Sequence, residues 1–353
     1  MAQNTHHHHI FAVSILSGQM SVETRNFYPD LERHVTPTAS GSQVVSYVHD
    51  LGPSRPILTL IHGYPQSSLI WRYIVPQLKQ KASLFIPELP GYGISTPSDK
   101  HSKLEVGRAL LEALISTFKL QPGEAAAPRT VILGGHDRGA RIAHRLAVSL
   151  SHDPAFAQSS GAGGGLLRVA GAALLDIVPT QAQWAAFADP VSSRAYFHWP
   201  LLANVALAVP LIRAYGGARW CRQSHALVAG SDEAGRARVV EADGAADVHA
   251  ELFEREETIR CSCEDYAAGS TVDVVEQVAD QAAGRKLDVP TLVLFSAAGI
   301  GGRMDVAGIW KDWVAPGVEL EAVAVGGGYG HYLPEEACDD VLEHLSMFLK
   351  SVA

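Results

Sequence analysis

The sequence predicts an α/β fold: a mostly parallel central sheet flanked by helices, with a mainly helical cap inserted in the second half. Three observations lead there. Short continuous apolar runs end in Gly or Pro turn signals, as the buried strands of a parallel sheet do. Stretches with helical spacing alternate with them, which implies βαβ units with right-handed crossovers. From about Pro179 to Lys286 the strand rhythm stops, and a segment rich in Ala, Arg, Glu and aromatics reads as helix.

Taken in order, residues 1–26 read as a flexible tail. His6–His9 precede the short apolar run Ile10–Leu16, which lacks a basic leader and is too short to span a bilayer. Strands are expected at Ile57–Ile61, Ser83–Pro87 and Thr130–Leu133, each running into a turn: His62-Gly63-Tyr64-Pro65, Glu88-Leu89-Pro90-Gly91 and Gly134-Gly135-His136-Asp137. Between the last two, Lys103–Lys119 places Leu104, Leu111, Leu114, Ile115 and Phe118 at helical spacing. Gln121–Arg129 and Ser151–Gly165 are rich in Gly, Ala, Ser and Pro and read as surface loops. Later strands are expected at Val169–Val178, Val289–Phe295 and Val318–Val325, and a helix at Cys338–Leu349. The resulting division is a core of residues 27–179 and 287–353 with a cap of residues 180–286. At about 100–200 residues per domain, 353 residues fit one large domain with an insertion or two domains.

Composition narrows the function classes. With 47% hydrophobic and 18% charged residues, the chain is ordinary globular material rather than disordered. A net charge of −9 argues against nucleic acid, which needs clustered Lys and Arg. Four cysteines, none in a CxxC pair, make neither a disulfide scaffold nor a zinc knuckle, so a reducing, cytoplasmic setting is expected. No segment reaches the ~18 apolar residues of a membrane helix. The histidines lack an H-E-x-x-H spacing, so no metal or organic cofactor is expected. The expected partner is a small-molecule substrate, and a homodimer is the default if the chain self-associates.

The chemistry concentrates in Leu133–Ala143. A strand ends, Gly135 and Gly139 flank a turn, and a helix starts with Ala143, Leu146, Ala147 and Leu150 on one face. This is the layout of the nucleophile elbow G-x-S-x-G, with Asp137 where serine would stand. A sharp strand-to-helix turn brings backbones together, so small neighbours are needed. An alternative is that Asp137 merely caps its helix. Two further features favour the elbow. Tyr64 follows an early strand where an oxyanion-hole N–H belongs, with Arg138 N–H as the second. His331 follows the last strand and the run Gly326-Gly327-Gly328-Tyr329-Gly330. Asp176 and Asp305 each follow a strand, and spacing leaves both open as the acid. The order nucleophile, acid, base is that of α/β-hydrolases.

With those motifs in view, the chain resembles the fluoroacetate (haloacetate) dehalogenases, a branch of the α/β-hydrolase superfamily. The resemblance rests on His62–Trp71 (HGYPQSSLIW), Glu88–Ser95 (ELPGYGIS), Gly135–Ala147 (GHDRGARIAHRLA), Leu174–Thr180 (LLDIVPT), Tyr196–Trp199 (YFHW), Cys263–Gly269 (CEDYAAG) and Gly330–Ala337 (GHYLPEEA). The first two occur in many relatives, epoxide hydrolases included, whereas the Asp-Arg-Gly-Ala-Arg, His-Trp and Cys-Glu-Asp-Tyr stretches are more particular. Position by position, the resemblance implies Asp137 as nucleophile, His331 as base and Asp176 as the acid orienting it. It implies Arg138 and Arg141 as ligands of the substrate carboxylate, and His198, Trp199 and Tyr266 as halide-stabilising groups. The chain departs from the family between about Pro200 and Arg260, at Ser159–Gly165 and in the glycine run before His331. Those departures put substrate size in doubt.

The residue types suit the reaction implied. A carboxylate displaces halide from a saturated carbon, giving an ester that activated water hydrolyses at the carbonyl. Serine would form an ether that does not hydrolyse. Histidine titrates near neutrality and suits the base. Arg138 and Arg141, three apart at a helix start, can face one pocket and match a planar carboxylate; the plainer alternative is a pair of surface arginines bound to acids. His198, Trp199 and Tyr266 can each donate a hydrogen bond to departing fluoride, their plainer role being cap packing. Two other functions remain open. One is an epoxide hydrolase using the same Asp-His-Asp set, with Tyr196 and Tyr266 protonating the epoxide. The other is a hydrolase-fold protein that binds a metabolite without turnover.

Overall fold

The computed structural model describes residues 25–121 and 127–352. All but the end of the predicted tail 1–26, with its histidine and apolar runs, lies outside the described residues, as does the middle of the predicted loop Gln121–Arg129.

Eight strands form one sheet: β1 (Glu32–Pro37), β2 (Gln43–His49), β3 (Ile57–Thr59), β4 (Ser83–Pro87), β5 (Arg129–His136), β6 (Leu167–Leu175), β7 (Thr291–Ser296) and β8 (Leu320–Val325). Their order is β1-β2-β4-β3-β5-β6-β7-β8. From β4 to β8 every pairing is parallel, whereas β2 runs antiparallel to both β1 and β4. The β1–β2 hairpin was not among the expected strands. β1 reads ERHVTP and lies largely exposed at the sheet edge, so it carries no apolar run to announce it.

Strands β3, β4 and β7 are buried throughout, as their mainly apolar sequences require. In β5, Val131 and Leu133 join one apolar cluster and Ile132 the other, so alternate side chains feed the two faces of the sheet. Helix Arg138–His152 covers the first face with Ile142, Ala143, Leu146 and Ala147. Helix Cys338–Val352 covers the second with Val341, Leu345, Phe348 and Leu349.

The loop expected at Ser151–Gly165 is in part helical. Helix Arg138–His152 runs into it, and a short helix, Pro154–Ser159, follows. Asp153 caps that helix by accepting from Phe156 N at 2.9 Å, with Pro154 at its first position. The Asp-Pro pair that reads as a turn signal is thus a helix start. Residues 180–282 form helices without a strand, from Thr180–Ala185 to Val272–Ala282. Among the described residues, no helix is long and apolar enough to cross a membrane.

Candidate active site

At the carboxyl end of β5, Asp137 adopts φ 50° and ψ −118°, a conformation costly for any residue with a Cβ. Neighbouring glycines make it possible. A Cβ at Gly135 would lie 2.5 Å from Gly139 C, and one at Gly139 would lie 2.1 Å from Ile61 O. Pairing past the end of β3 ties the turn down, with His136 N donating to Ile61 O at 2.9 Å. The Asp137 side chain makes no capping bond to the helix it precedes. Helix capping is therefore not what holds this aspartate here.

The carboxylate points instead to the turn after β3. Tyr64 N donates to Asp137 Oδ2 at 2.8 Å. A Cβ at Gly63 would sit 2.6 Å from that oxygen and 2.9 Å from Arg138 N, so both groups border the space this glycine leaves. Burial works against the charge on Asp137, but His331, Arg138 and other nearby cations prevail and hold its carboxyl below the usual range.

On the other side stands His331. Its Nδ1 lies 2.6 Å from Asp176 Oδ2, and Asp176 Oδ1 accepts from Ser296 N at 2.7 Å. Asp176, at the end of β6, has φ 54°. Of the two acids that spacing left open, the structure brings Asp176 to His331 and not Asp305. Asp305 caps the helix Val306–Lys311 by accepting from Gly308 N at 2.9 Å. Burial disfavours the imidazolium of His331, yet the Asp176 hydrogen bond and the charges of Asp176 and Asp137 raise its pKa above the ordinary value. His331 Nε2 is 3.9 Å from Asp137 Oδ1, too far for a direct hydrogen bond.

The glycine run before His331 has a packing reason. His331 N donates to Val228 O at 3.0 Å, and Ser231 N to Gly328 O at 2.8 Å, so the run lies against residues 228–231 of the helical segment. A Cβ at Gly330 would meet Gly230 N at 2.3 Å. Glu336 fastens the two together, accepting from Gly230 N at 2.6 Å, Gly330 N at 2.8 Å and Tyr332 N at 3.0 Å.

The two arginines do not share the pocket equally. Arg141 lines the cavity, and its Nη1 donates to Val178 O at 2.8 Å and Thr180 Oγ1 at 3.2 Å. Burial and the charge of Arg138 pull its pKa down to about 10. Arg138 is wholly buried and is not among the lining residues. Its Nε lies 2.5 Å from Asp265 Oδ2, and Nη2 donates to Asp265 O at 2.9 Å. The surface ion pair of the plainer alternative is therefore found buried, at one arginine of the two. Asp265 stands inside the Cys263–Gly269 stretch but received no role from the sequence; a fully buried arginine requires such a partner.

His198 and Trp199 start the helix His198–Ala203 and both reach Tyr266, with ring centroids 5.9 and 5.4 Å away. Burial keeps His198 neutral, its pKa pushed down to about 4, and keeps the Tyr266 phenol protonated. Tyr64, Asp137, Arg141, Asp176, His198, Trp199, Tyr266 and His331 border one cavity of about 1090 Å³ between the carboxyl ends of the strands and the helical segment. Tyr196 lines it too. Among the described residues, no group of His, Cys, Asp or Glu side chains is arranged to hold a metal ion.

Residues 60–344 match the model of the alpha/beta hydrolase family. The chain belongs to that family. This α/β-hydrolase is 26% identical over 309 residues to a fluoroacetate dehalogenase from Burkholderia sp., covering 85% of this chain and 88% of the relative. Over 104 residues, 30% of this chain and 31% of the relative, it is 32% identical to a haloalkane dehalogenase from Mesorhizobium japonicum. Among solved structures, a mutant of a Pseudomonas aeruginosa protein described as an epoxide hydrolase superposes with a TM-score of 0.73 at 30% identity. That match covers 92% of this chain and 97% of the other. The α/β-hydrolase is accordingly a hydrolase with both dehalogenase and epoxide-hydrolase relatives.

Proposed function

We propose that this α/β-hydrolase works through a covalent ester on Asp137 and dehalogenates a halogenated carboxylic acid. One observation carries the reading: Asp137 Oδ2 is held by Tyr64 N, while Oδ1 faces His331 Nε2 across 3.9 Å. Oδ1 attacks the halogen-bearing carbon, the new C–O bond forms, and halide leaves with the electron pair of the C–X bond. Hydrogen bonds from His198, Trp199 and Tyr266 stabilise the departing anion. Arg141 takes the substrate carboxylate, and Arg138, whose guanidinium is bound to Asp265, contributes its backbone N–H.

Hydrolysis follows. Water gives a proton to His331 Nε2 as its oxygen adds to Asp137 Cγ, and the tetrahedral oxyanion on Oδ2 rests on the N–H groups of Tyr64 and Arg138. Collapse breaks the ester bond, and His331 returns the proton to the departing hydroxy acid. Asp176 keeps Nδ1 protonated so that Nε2 stays free to accept. The helical segment 180–286 acts as the cap over this chemistry.

Single turnover in heavy-oxygen water, followed by mass analysis of the Asp137 peptide, tests the route. One labelled oxygen in that carboxylate is expected, Asp137→Asn is inactive, and His331→Asn accumulates the alkylated enzyme. An unlabelled Asp137 after turnover rejects the mechanism. An epoxide substrate is the second reading, favoured by Tyr196 and Tyr266 lining the same cavity. Halide release from haloacids against diol formation from styrene oxide separates the two.

A further inference from the structure

The cavity is larger than the smallest halogenated acids need. At about 1090 Å³ it reaches the top of the ~300–1,000 Å³ range of pockets that enclose drug-sized ligands. The strand ends with the reacting groups make one wall. Helices Pro190–Ala195, Gly217–Val228 and Glu233–Val240, with the loop after β7, make the other.

Charge on that outer wall is one-sided. Arg194, Arg236 and Arg303 line the cavity in addition to Arg141, while Asp137 and Asp176 are the carboxylates lining it among the described residues. In a chain of net charge −9, an arginine-bearing wall without its own acids departs from the average surface. Arg236 donates to the carbonyl oxygens of Ala226 at 3.1 Å and Ala229 at 3.4 Å, and Arg303 donates to Gly299 O at 3.0 Å. Arg303 also lies 5.7 Å over the Tyr196 ring, so the partners of these two guanidinium groups carry no formal negative charge. The rest of the lining includes the apolar and aromatic Phe197, Trp220 and Leu227 together with neutral polar Gln223 and Ser224.

We infer that the substrate is an elongated dianion whose reacting end sits on Arg141 and whose second anionic group, carboxylate or phosphate, meets Arg194, Arg236 and Arg303 across an apolar spacer. The position of the reacting end rests on the proposed aspartyl-ester chemistry; the charge of the outer wall does not. Exposed cations also steer any anion toward a cleft, which raises association rates. A seated second anion is distinguished from general attraction by a spacer-length optimum that persists at about 0.15 M salt, where attraction to exposed cations is largely screened.

Halogen-free probes keep this test separate from the reaction. Calorimetric titration compares monocarboxylates, dicarboxylates and phosphono-carboxylates of matched chain length on the intact enzyme. Each dianion that fits is expected to bind about tenfold or more tightly than its monoanion, as one charge-assisted contact allows; the better of the two dianion series identifies the distal group. The triple variant Arg194→Gln, Arg236→Gln, Arg303→Gln, with an unchanged circular dichroism spectrum, abolishes that preference and retains monoanion binding. Equal affinities for mono- and dianions, a preference that survives the triple variant, or no binding of any probe would each overturn the inference. None of these results depends on whether Asp137 becomes alkylated, so the labelling experiment and this one fail independently.

Discussion

Asp265 Oδ2 lies 2.5 Å from Arg138 Nε, and this buried pair separates two arginines that look equivalent in sequence. Lys103 Nζ also contacts Asp265 and lies 3.2 Å from Asp273 Oδ2, so one carboxylate serves two buried cations. Asp137 keeps Arg141 as a cavity-facing neighbour while Arg138 is fixed behind it. The helix Glu256–Ser270, which carries Asp265, is thereby joined to the helix that begins at the elbow.

Removing that carboxylate leaves buried positive charge without its partner. Asp265→Asn is expected to destabilise the fold by about 3–5 kcal/mol, the cost typical of breaking a buried pair from one side. Burial opposes ionisation of Asp265, but Arg138 and Lys103 overcome it and hold its pKa at about 2. A depressed carboxyl pKa stabilises the fold fully above the unfolded value of ~3.9 and loses that contribution as pH falls toward the folded value. Denaturant midpoints of wild type and variant should therefore converge as pH drops from about 4 to about 2. A constant gap over that window would contradict the assignment.

His331 should titrate above an ordinary histidine in the free enzyme. Burial lowers its pKa, but Asp176 and Asp137 raise it by more. Asp137→Asn removes one of those negative charges, so the imidazole resonance followed by NMR should titrate at lower pH than in wild type. In the proposed mechanism, forming the ester would remove the same charge and make the base neutral over a wider pH range when it has to act. Asp176→Asn should lower that pKa too and slow turnover by on the order of 10⁴, the scale seen when a triad histidine loses its orienting acid.

Position 63 tolerates no side chain. A methyl group there would lie 2.6 Å from Asp137 Cβ and Oδ2, where the elbow itself is the obstacle. Gly63→Ala should reduce kcat by about 10²–10³, the effect of losing one oxyanion donor, with about 1–3 kcal/mol of overpacking cost in a thermal melt. An active variant of wild-type stability would show that the turn can yield.

Glu336 holds three backbone N–H groups on one carboxylate, linking Gly230 to the loop of His331. Glu336→Gln turns one acceptor into a donor that faces those N–H groups. Amide exchange at Gly230, Gly330 and Tyr332 should accelerate together, with about 1–3 kcal/mol lost from stability. Acceleration at Gly330 alone would mean that the loop stays fastened without the glutamate.

Local signals in the sequence carried far. The apolar bursts Ile57–Ile61, Ser83–Pro87, Thr130–Leu133 and Val289–Phe295 overlap strands because a strand buried on both faces must be mainly apolar. The glycines around Asp137 were readable for a steric reason, since the strand-to-helix turn leaves no room for a Cβ. The β1–β2 hairpin escaped notice because an exposed edge strand needs no apolar run, and the Pro154–Ser159 helix because Asp-Pro marks turns and helix starts alike. Asp265 and Glu336 lie inside two of the resembling stretches but were given no role, as an acid looks the same in sequence whether solvated or buried.

By itself, then, the chain's sequence determined the parallel strands, the elbow and the order of aspartate and histidine along it, all of which depend on neighbours a few residues apart. Spacing left Asp176 and Asp305 both open and only the resemblance favoured Asp176; the structure brings Asp176 to His331, from 155 residues away, and pairs Asp265 with Arg138, from 127 residues away. It also set the size of the cavity and the arginines on its outer wall. Such pairings follow from how helices and strand ends pack, and no periodicity or turn residue encodes which distant side chain a buried charge will find.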